Sequence, residues 1–193
     1  PVLQRFQPLL ISWSGKSELR TLTKSEWVGG SPALVGDALL CGFYLNELLV
    51  KFLAREDAYE TLYDQYASTV YALSQIMESG AGIEQTLRPF ELALLRETGY
   101  AAALDHCVET QTKPVGTERY VYQPEKGIRP LQSDDPGHWP VLTGLALEAM
   151  ANGDFSDAET LTQSKQLMRF LLGIHLQDQQ LTTRQILIDL KKI

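Results

Sequence analysis

Few residues of this chain have the types and spacing that covalent chemistry requires. His106-Cys107 sets an imidazole beside a thiol, the elements of a nucleophile or of half a metal site. Side chains adjacent in sequence seldom face each other, and no further ligand stands at zinc spacing, so both are expected to be structural. His138 lies beside Trp139 in a loop. His175 falls near the end of a helix, where the dipole favours positive charge. Asp134-Asp135 precedes Pro136-Gly137, a context in which aspartate serves turn chemistry. The sequence has no G-x-G-x-x-G, P-loop, nucleophile elbow or H-E-x-x-H. These residues give no reading of an enzyme, a cofactor or a metal site.

Binding chemistry is better represented. Arg88 interrupts the apolar run Leu87-Arg88-Pro89-Phe90-Glu91-Leu92. Lys165 and Arg169 are four apart and share a helix face, with Leu172 further along and Leu161, Leu167, Met168, Phe170 and Leu171 around the stripe. Basic heads beside apolar ridges suit an acidic-hydrophobic peptide or a terminal carboxylate. The plainer alternative is that Lys165 and Arg169 are solvated, or pair with carboxylates such as Glu159.

The elements that position these residues are mostly helical. Leu9, Ile11 and Trp13 alternate before the turn Ser14-Gly15-Lys16-Ser17, and Leu19, Thr21 and Thr23 alternate after it, which predicts a hairpin. Helical spacing follows over Leu34–Leu53 and Asp57–Met77, the latter ending at Ser79-Gly80-Ala81-Gly82, and over about Glu84–Glu97, closed by Gly99. Pro89 is expected within the first turns of that third helix, where proline is tolerated. Residues 100–138 read as irregular, with a small hairpin around Pro124-Glu125-Lys126-Gly127. A short helix is expected over about Val141–Ala151. Ser156-x-x-Glu159 reads as a capping box in front of a long helix, Asp157 to about Leu176, and Thr183–Leu190 as a last short helix.

The chain has 193 residues, 44% hydrophobic and 21% charged, which excludes wholesale disorder. No apolar run is long enough to span a membrane, and no signal peptide is visible. Cys41 and Cys107 are too few for a disulfide framework. The formal net charge is −7, yet residues 1–30 carry Arg5, Lys16, Arg20 and Lys24 against Glu18 and Glu26. An acidic body argues against nonspecific nucleic-acid binding over the whole surface but leaves room for a local basic patch. The first residues are Pro-Val with no initiator Met, and an isolated hairpin is marginal in water, so an N-terminal truncation of a larger sheet is expected.

The chain resembles the RecO family of bacterial DNA-repair and recombination mediators over about Leu3–Leu190. Leu3-x-x-Phe6-x-Pro8-Leu9-Leu10, with the hairpin after it, is similar to the closing strands of that family's N-terminal OB-fold. Tyr44-Leu45-Asn46-Glu47-Leu48-Leu49, Leu87-Arg88-Pro89-Phe90-Glu91-Leu92-Ala93-Leu94-Leu95-x-x-x-Gly99-Tyr100 and Lys165-x-x-x-Arg169 are the helical marks. If Tyr44 and Asn46 are buried, their polar tips need partners, so they are expected to lock helix packing. The resemblance implies a mainly α fold with a small β part: 1–30 as closing strands of a truncated OB-fold, and 31–193 as a helical domain with an excursion at about 100–138. Some relatives bind zinc there through four cysteines. Only Cys107 stands in this region, so a degenerate module without metal is expected.

The resemblance further implies a non-enzymatic mediator without cofactors, cytoplasmic and nucleoid-associated. It would bind the acidic C-terminal tail of single-stranded-DNA-binding protein, anneal strands, and load the RecA recombinase together with RecR. Arg88, Lys165 and Arg169 would receive the tail's carboxylates, with Phe90 and Leu172 beside its terminal Phe. Arg5, Lys16, Arg20 and Lys24 would form a residual face for single- and double-stranded DNA, binding weakly in so short a β part. The alternative is an adaptor that binds the tail but not DNA.

Overall fold

The computed structural model describes residues 3–16, 18–30, 32–76, 82–176, 180–183 and 185–186. The residues around Gly15 form an antiparallel hairpin, β1 (Leu9–Ser14) and β2 (Thr21–Trp27). Ser12 faces Lys24 but Trp13 faces Leu22, so Thr23 is an extra residue in β2. This bulge breaks the simple alternation suggested for Thr21 and Thr23. Leu10, Ile11, Trp13, Leu22 and Trp27 are exposed, which leaves apolar surface on both faces of the hairpin.

Phe6 fastens the hairpin to the helices. Its ring lies edge-on to Phe43, with centroids 5.4 Å apart. A Cβ on Gly42 would come within 2.9 Å of the Phe6 ring and 2.6 Å of Leu34. Glycine at 42 is therefore what allows Phe6 to rest on the first helix, α1 (Gly36–Phe52).

α2 (Glu60–Ser74) and α3 (Ile83–Glu97) follow α1 and pack on it and on each other. Their apolar stripes meet in one core: Leu45 and Leu48 of α1, Leu62 and Leu73 of α2, Phe90 and Leu94 of α3 are all within 1% of full burial. Each such side chain stabilises the fold by about 1.5–3 kcal/mol. Pro89 lies in the second turn of α3, within the first turns as expected, and the Gln85 carbonyl has no helical donor at that step. α3 stops at Gly99, which takes φ +81°; Gly99 N–H donates to the Arg96 carbonyl and Tyr100 N–H to that of Leu95. This is the left-handed termination expected from the sequence.

The excursion contains the expected hairpin, β3 (Arg119–Gln123) with β4 (Gly127–Pro130). β5 (Val141–Thr143) pairs on the other side of β3, giving the order β4-β3-β5. Residues 141–143 were expected to open a helix. They are a strand because they complete this sheet, and α4 (Gly144–Ala151) starts only after Thr143, whose hydroxyl accepts from Ala146 N–H. Tyr120 and Ile128 lie on the face of the sheet that joins the core, and Val121, also buried, points to the opposite face. Arg129 grips both carboxylate oxygens of Asp135, so the aspartate read as turn chemistry also staples the loop to β4.

α5 (Ala158–His175) packs on α3 and α4. Its cap is Asp157, which accepts from Thr160 N–H at 2.8 Å. The capping box expected from Ser156 does not form, because Ser156 donates instead to Asp154. The helix expected over 183–190 falls largely outside the described residues, as do residues 79–81 of the turn expected after α2. Five helices and two small antiparallel sheets thus make up the described chain, a mixed architecture dominated by helix.

Candidate functional site

α3 carries charged residues on its buried stripe. Leu87, Phe90, Glu91, Leu94 and Leu95 follow helical spacing, and Arg88 lies among them. Arg88 Nη1 donates to Glu91 Oε2 at 2.5 Å, with side-chain exposures of only 7% and 2%. Tyr44 of α1 donates to the other Glu91 oxygen at 2.6 Å. Burial pushes the Glu91 carboxyl up, and Arg88 and the Tyr44 hydroxyl offset part of that rise. Burial and the neighbouring Glu91 push the Tyr44 phenol well up in turn. Such a buried pair adds little over apolar replacements, but removing one partner alone costs about 3–5 kcal/mol.

One turn earlier on α3, Glu84 faces α5. Lys165 Nζ donates to the Glu84 carboxylate. Burial raises this carboxyl, but Lys165 first, then Arg88 and Arg169, outweigh it and hold it below its ordinary value. Arg169 is exposed, one turn beyond Lys165. The fold therefore gathers Arg88, Lys165 and Arg169 around Glu84 on the α3–α5 seam. Phe90 and Leu172 stand at 0% and 4% exposure, as core residues of the two helices. Leu161, one turn before Lys165, is a half-buried apolar side chain on the same helix face.

Glu84 and the Arg88 partner Glu91 had no assigned role in the sequence reading. Their spacing held the signal, since positions four before and three after an arginine share its helix face. No local signal pairs Tyr44 with Glu91.

Tyr44, Asn46 and Glu47 of α1 are each engaged. Tyr66 of α2 donates to Asn46 Oδ1 at 2.7 Å. Glu47 accepts from Thr182 N–H, Thr183 N–H and the Thr183 hydroxyl, at 2.8, 2.9 and 2.6 Å. Tyr44 and Asn46 thus join α1 to α3 and α2, the packing role expected of them.

The four cations of the N-terminal region are exposed but do not form one free face. Arg20 pairs with Glu56 at 2.8 Å, Lys24 with Glu26 at 2.8 Å, and Arg5 lies 5.3 Å from the centre of the Phe43 ring. Lys16 is exposed at the hairpin turn. Elsewhere, Cys107 is buried and His106 Nδ1 lies 2.8 Å from Asp105, so the adjacent thiol and imidazole have separate surroundings. Among the described residues no group of three or more His, Cys, Asp or Glu side chains could hold a metal ion. No described helix is long and apolar enough to cross a membrane. A cleft of about 730 Å³ runs along β5 between α4 and α5, lined by Arg119, Thr143, Leu145 and Gln163, away from the cation cluster.

What the α3–α5 seam offers is charge pairing and apolar packing on a rigid helical frame, the means of a binding domain. The chain belongs to the family described as Recombination protein O C terminal, whose model matches residues 34–185. Among its relatives, the DNA repair protein RecO of Polynucleobacter asymbioticus is 77% identical over 193 residues, covering 100% of this chain and 79% of the relative. The protein of the same name from Ralstonia nicotianae is 54% identical over 193 residues, covering 69% of the relative.

Proposed function

We propose that this chain works in DNA repair and recombination as a binding protein, holding an acidic C-terminal protein tail on the α3–α5 seam. Family membership and the names of its relatives support the repair role. The observation that carries the tail reading is the gathering of Lys165, Arg169 and Arg88 around one carboxylate, a geometry that accepts carboxylates. Single-stranded-DNA-binding protein is the proposed owner of the tail, and RecR and RecA the proposed further partners. The same reading treats residues 1–30 as closing strands of an OB-fold and 31–193 as the helical domain with its excursion. It also places the protein in the bacterial cytoplasm, without catalytic activity of its own.

Arg88 is too deeply paired to test this cleanly, because its loss strands Glu91. The test is fluorescence anisotropy of a short labelled peptide rich in aspartate and ending in Phe with a free carboxylate. Wild type is expected to bind with micromolar affinity. Lys165→Ala/Arg169→Ala is expected to bind at least tenfold more weakly, with its circular dichroism unchanged. Wild-type binding that survives the double substitution would remove the site from this seam.

A second reading, an adaptor that binds the tail but not DNA, gains support from the ion pairs that occupy Arg20 and Lys24. Salt titration of single-strand binding separates the two. Several phosphate contacts give a steep fall in affinity with salt, and an adaptor gives no binding to lose.

A further inference from the structure

We infer that Glu84 is a built-in competitor for the acidic tail, occupying Lys165 until an incoming carboxylate replaces it. The inference rests on the tail reading above. Two ion pairs meet on the seam and they differ in kind. Arg88–Glu91 is 7% and 2% exposed and is further held by the Tyr44 hydroxyl, so it is a fixed part of the frame. Lys165–Glu84 is 34% and 43% exposed, joins two separate helices, and has no second donor from another element among the described hydrogen bonds. A half-exposed pair of this sort is screened by water and opens at small cost. Its lysine is a point charge on a flexible stem, able to turn to another acceptor.

Glu84 also lies near Arg88 and Arg169, and its charge opposes part of the positive field that all three cations would present to a ligand. An anionic partner must therefore out-compete a carboxylate already in place. A ligand with one negative group gains little by that exchange. A run of carboxylates gains more, since Arg169 is exposed beside the lysine and takes the next one. Glu84 thereby sets how acidic a tail must be to bind.

The experiment uses the same labelled aspartate-rich peptide ending in Phe. Glu84→Gln keeps the shape of the side chain and removes its charge, and is expected to bind about two- to fivefold more tightly than wild type, the scale of a half-exposed ion pair. Glu84→Ala should move in the same direction. In a Lys165→Met background the gain from Glu84→Gln should shrink to the smaller part that comes from Arg88 and Arg169, which a general effect on helix stability would not produce. Equal affinities of wild type and Glu84→Gln would overturn the competitor role and leave the tail site standing. A gain that persists undiminished without Lys165 would overturn it too. No binding by folded wild type or by either Glu84 variant would overturn the tail reading and the competitor together.

Discussion

Tyr44 Oη lies 2.6 Å from Glu91 Oε1, and this bond ties α1 to the charged stripe of α3. It joins two of the three helical stretches that carry the resemblance to the RecO family. The Glu91 carboxylate receives Tyr44 on one oxygen and Arg88 on the other, so a charge that is 2% exposed has two donors of its own. Charged groups enter a core only when paired and hydrogen-bonded. The cations of the seam thus stand on a satisfied polar network.

Breaking that network from different sides should cost different amounts. Tyr44→Phe removes one donor and leaves the Arg88 pair, an expected loss of about 1–3 kcal/mol. Arg88→Met leaves Glu91 a buried charge without its counter-ion, about 3–5 kcal/mol. Arg88→Met/Glu91→Met should recover a large part of that second loss. Urea denaturation of the four proteins measures all three, and a double variant no more stable than Arg88→Met would show that the pair is not the reason for the cost.

Gly42 reverses an ordinary rule. In an open helix, Gly→Ala stabilises by about 1 kcal/mol. Here the new Cβ meets Phe6 at 2.9 Å and Leu34 at 2.6 Å. Overpacking costs about 1–3 kcal/mol, so Gly42→Ala is expected to destabilise and to release the hairpin to proteolysis near β1 and β2. Phe6→Ala removes one of the two obstacles, and Gly42→Ala added to it should cost less than in wild type. Thermal melts and limited proteolysis of the set read this out; equal costs in both backgrounds would mean that Leu34 alone decides.

These positions also show where the sequence was legible and where it was not. Stripes such as Leu45 and Leu48, or Leu94 and Leu95, announce their burial through spacing alone. Gly99 announces its left-handed φ because an apolar helix ends beside it. The cations Arg88, Lys165 and Arg169 were visible as types at suitable spacings. What spacing could not give was their convergence on Glu84, which depends on how α5 packs against α3 across eighty-one residues. Val141–Thr143 reads as the start of a helix because the apolar residues run on, and only the partner strand β3 decides otherwise. Ser156 and Asp157 are both sound caps by type, and the chain's path around Asp154 selects the aspartate. Tertiary partners, absent from any local window, account for the first two differences, and a competing acceptor two residues away accounts for the third.

Glu47 fastens the segment after α5 to α1. Burial raises its carboxyl, but the Thr183 hydroxyl and the backbone N–H groups of Thr183 and Thr182 outweigh burial and hold it below the ordinary value. A depressed carboxyl stabilises the folded state above its unfolded value, and that contribution is lost as pH falls through the folded one. Hydrogen exchange at the Thr182 and Thr183 amides should therefore be slow at neutral pH relative to Glu47→Gln. On acidification the wild type should lose protection, after correction for intrinsic exchange, and approach the variant. Equal protection in both proteins at neutral pH would remove Glu47 from this role.

His175 sets two physical effects against each other. Its place in the last turn of α5 favours the charged imidazolium. Its ring stacks on Tyr100 with centroids 3.8 Å apart, and Tyr100 meets Phe52 edge-on. Burial in this aromatic group disfavours the charge, and it prevails, holding the imidazole below its ordinary 6.5. The neutral ring is then the folded form, and its contribution is present above the unfolded value and lost as pH falls through the folded one. A proton NMR titration of the ring should give a midpoint below 6.5. Tyr100→Ala should open the ring to water and bring the midpoint up, since the helix end then acts without opposition. A midpoint above the ordinary value in the wild type would show that the dipole, not burial, governs this end of α5.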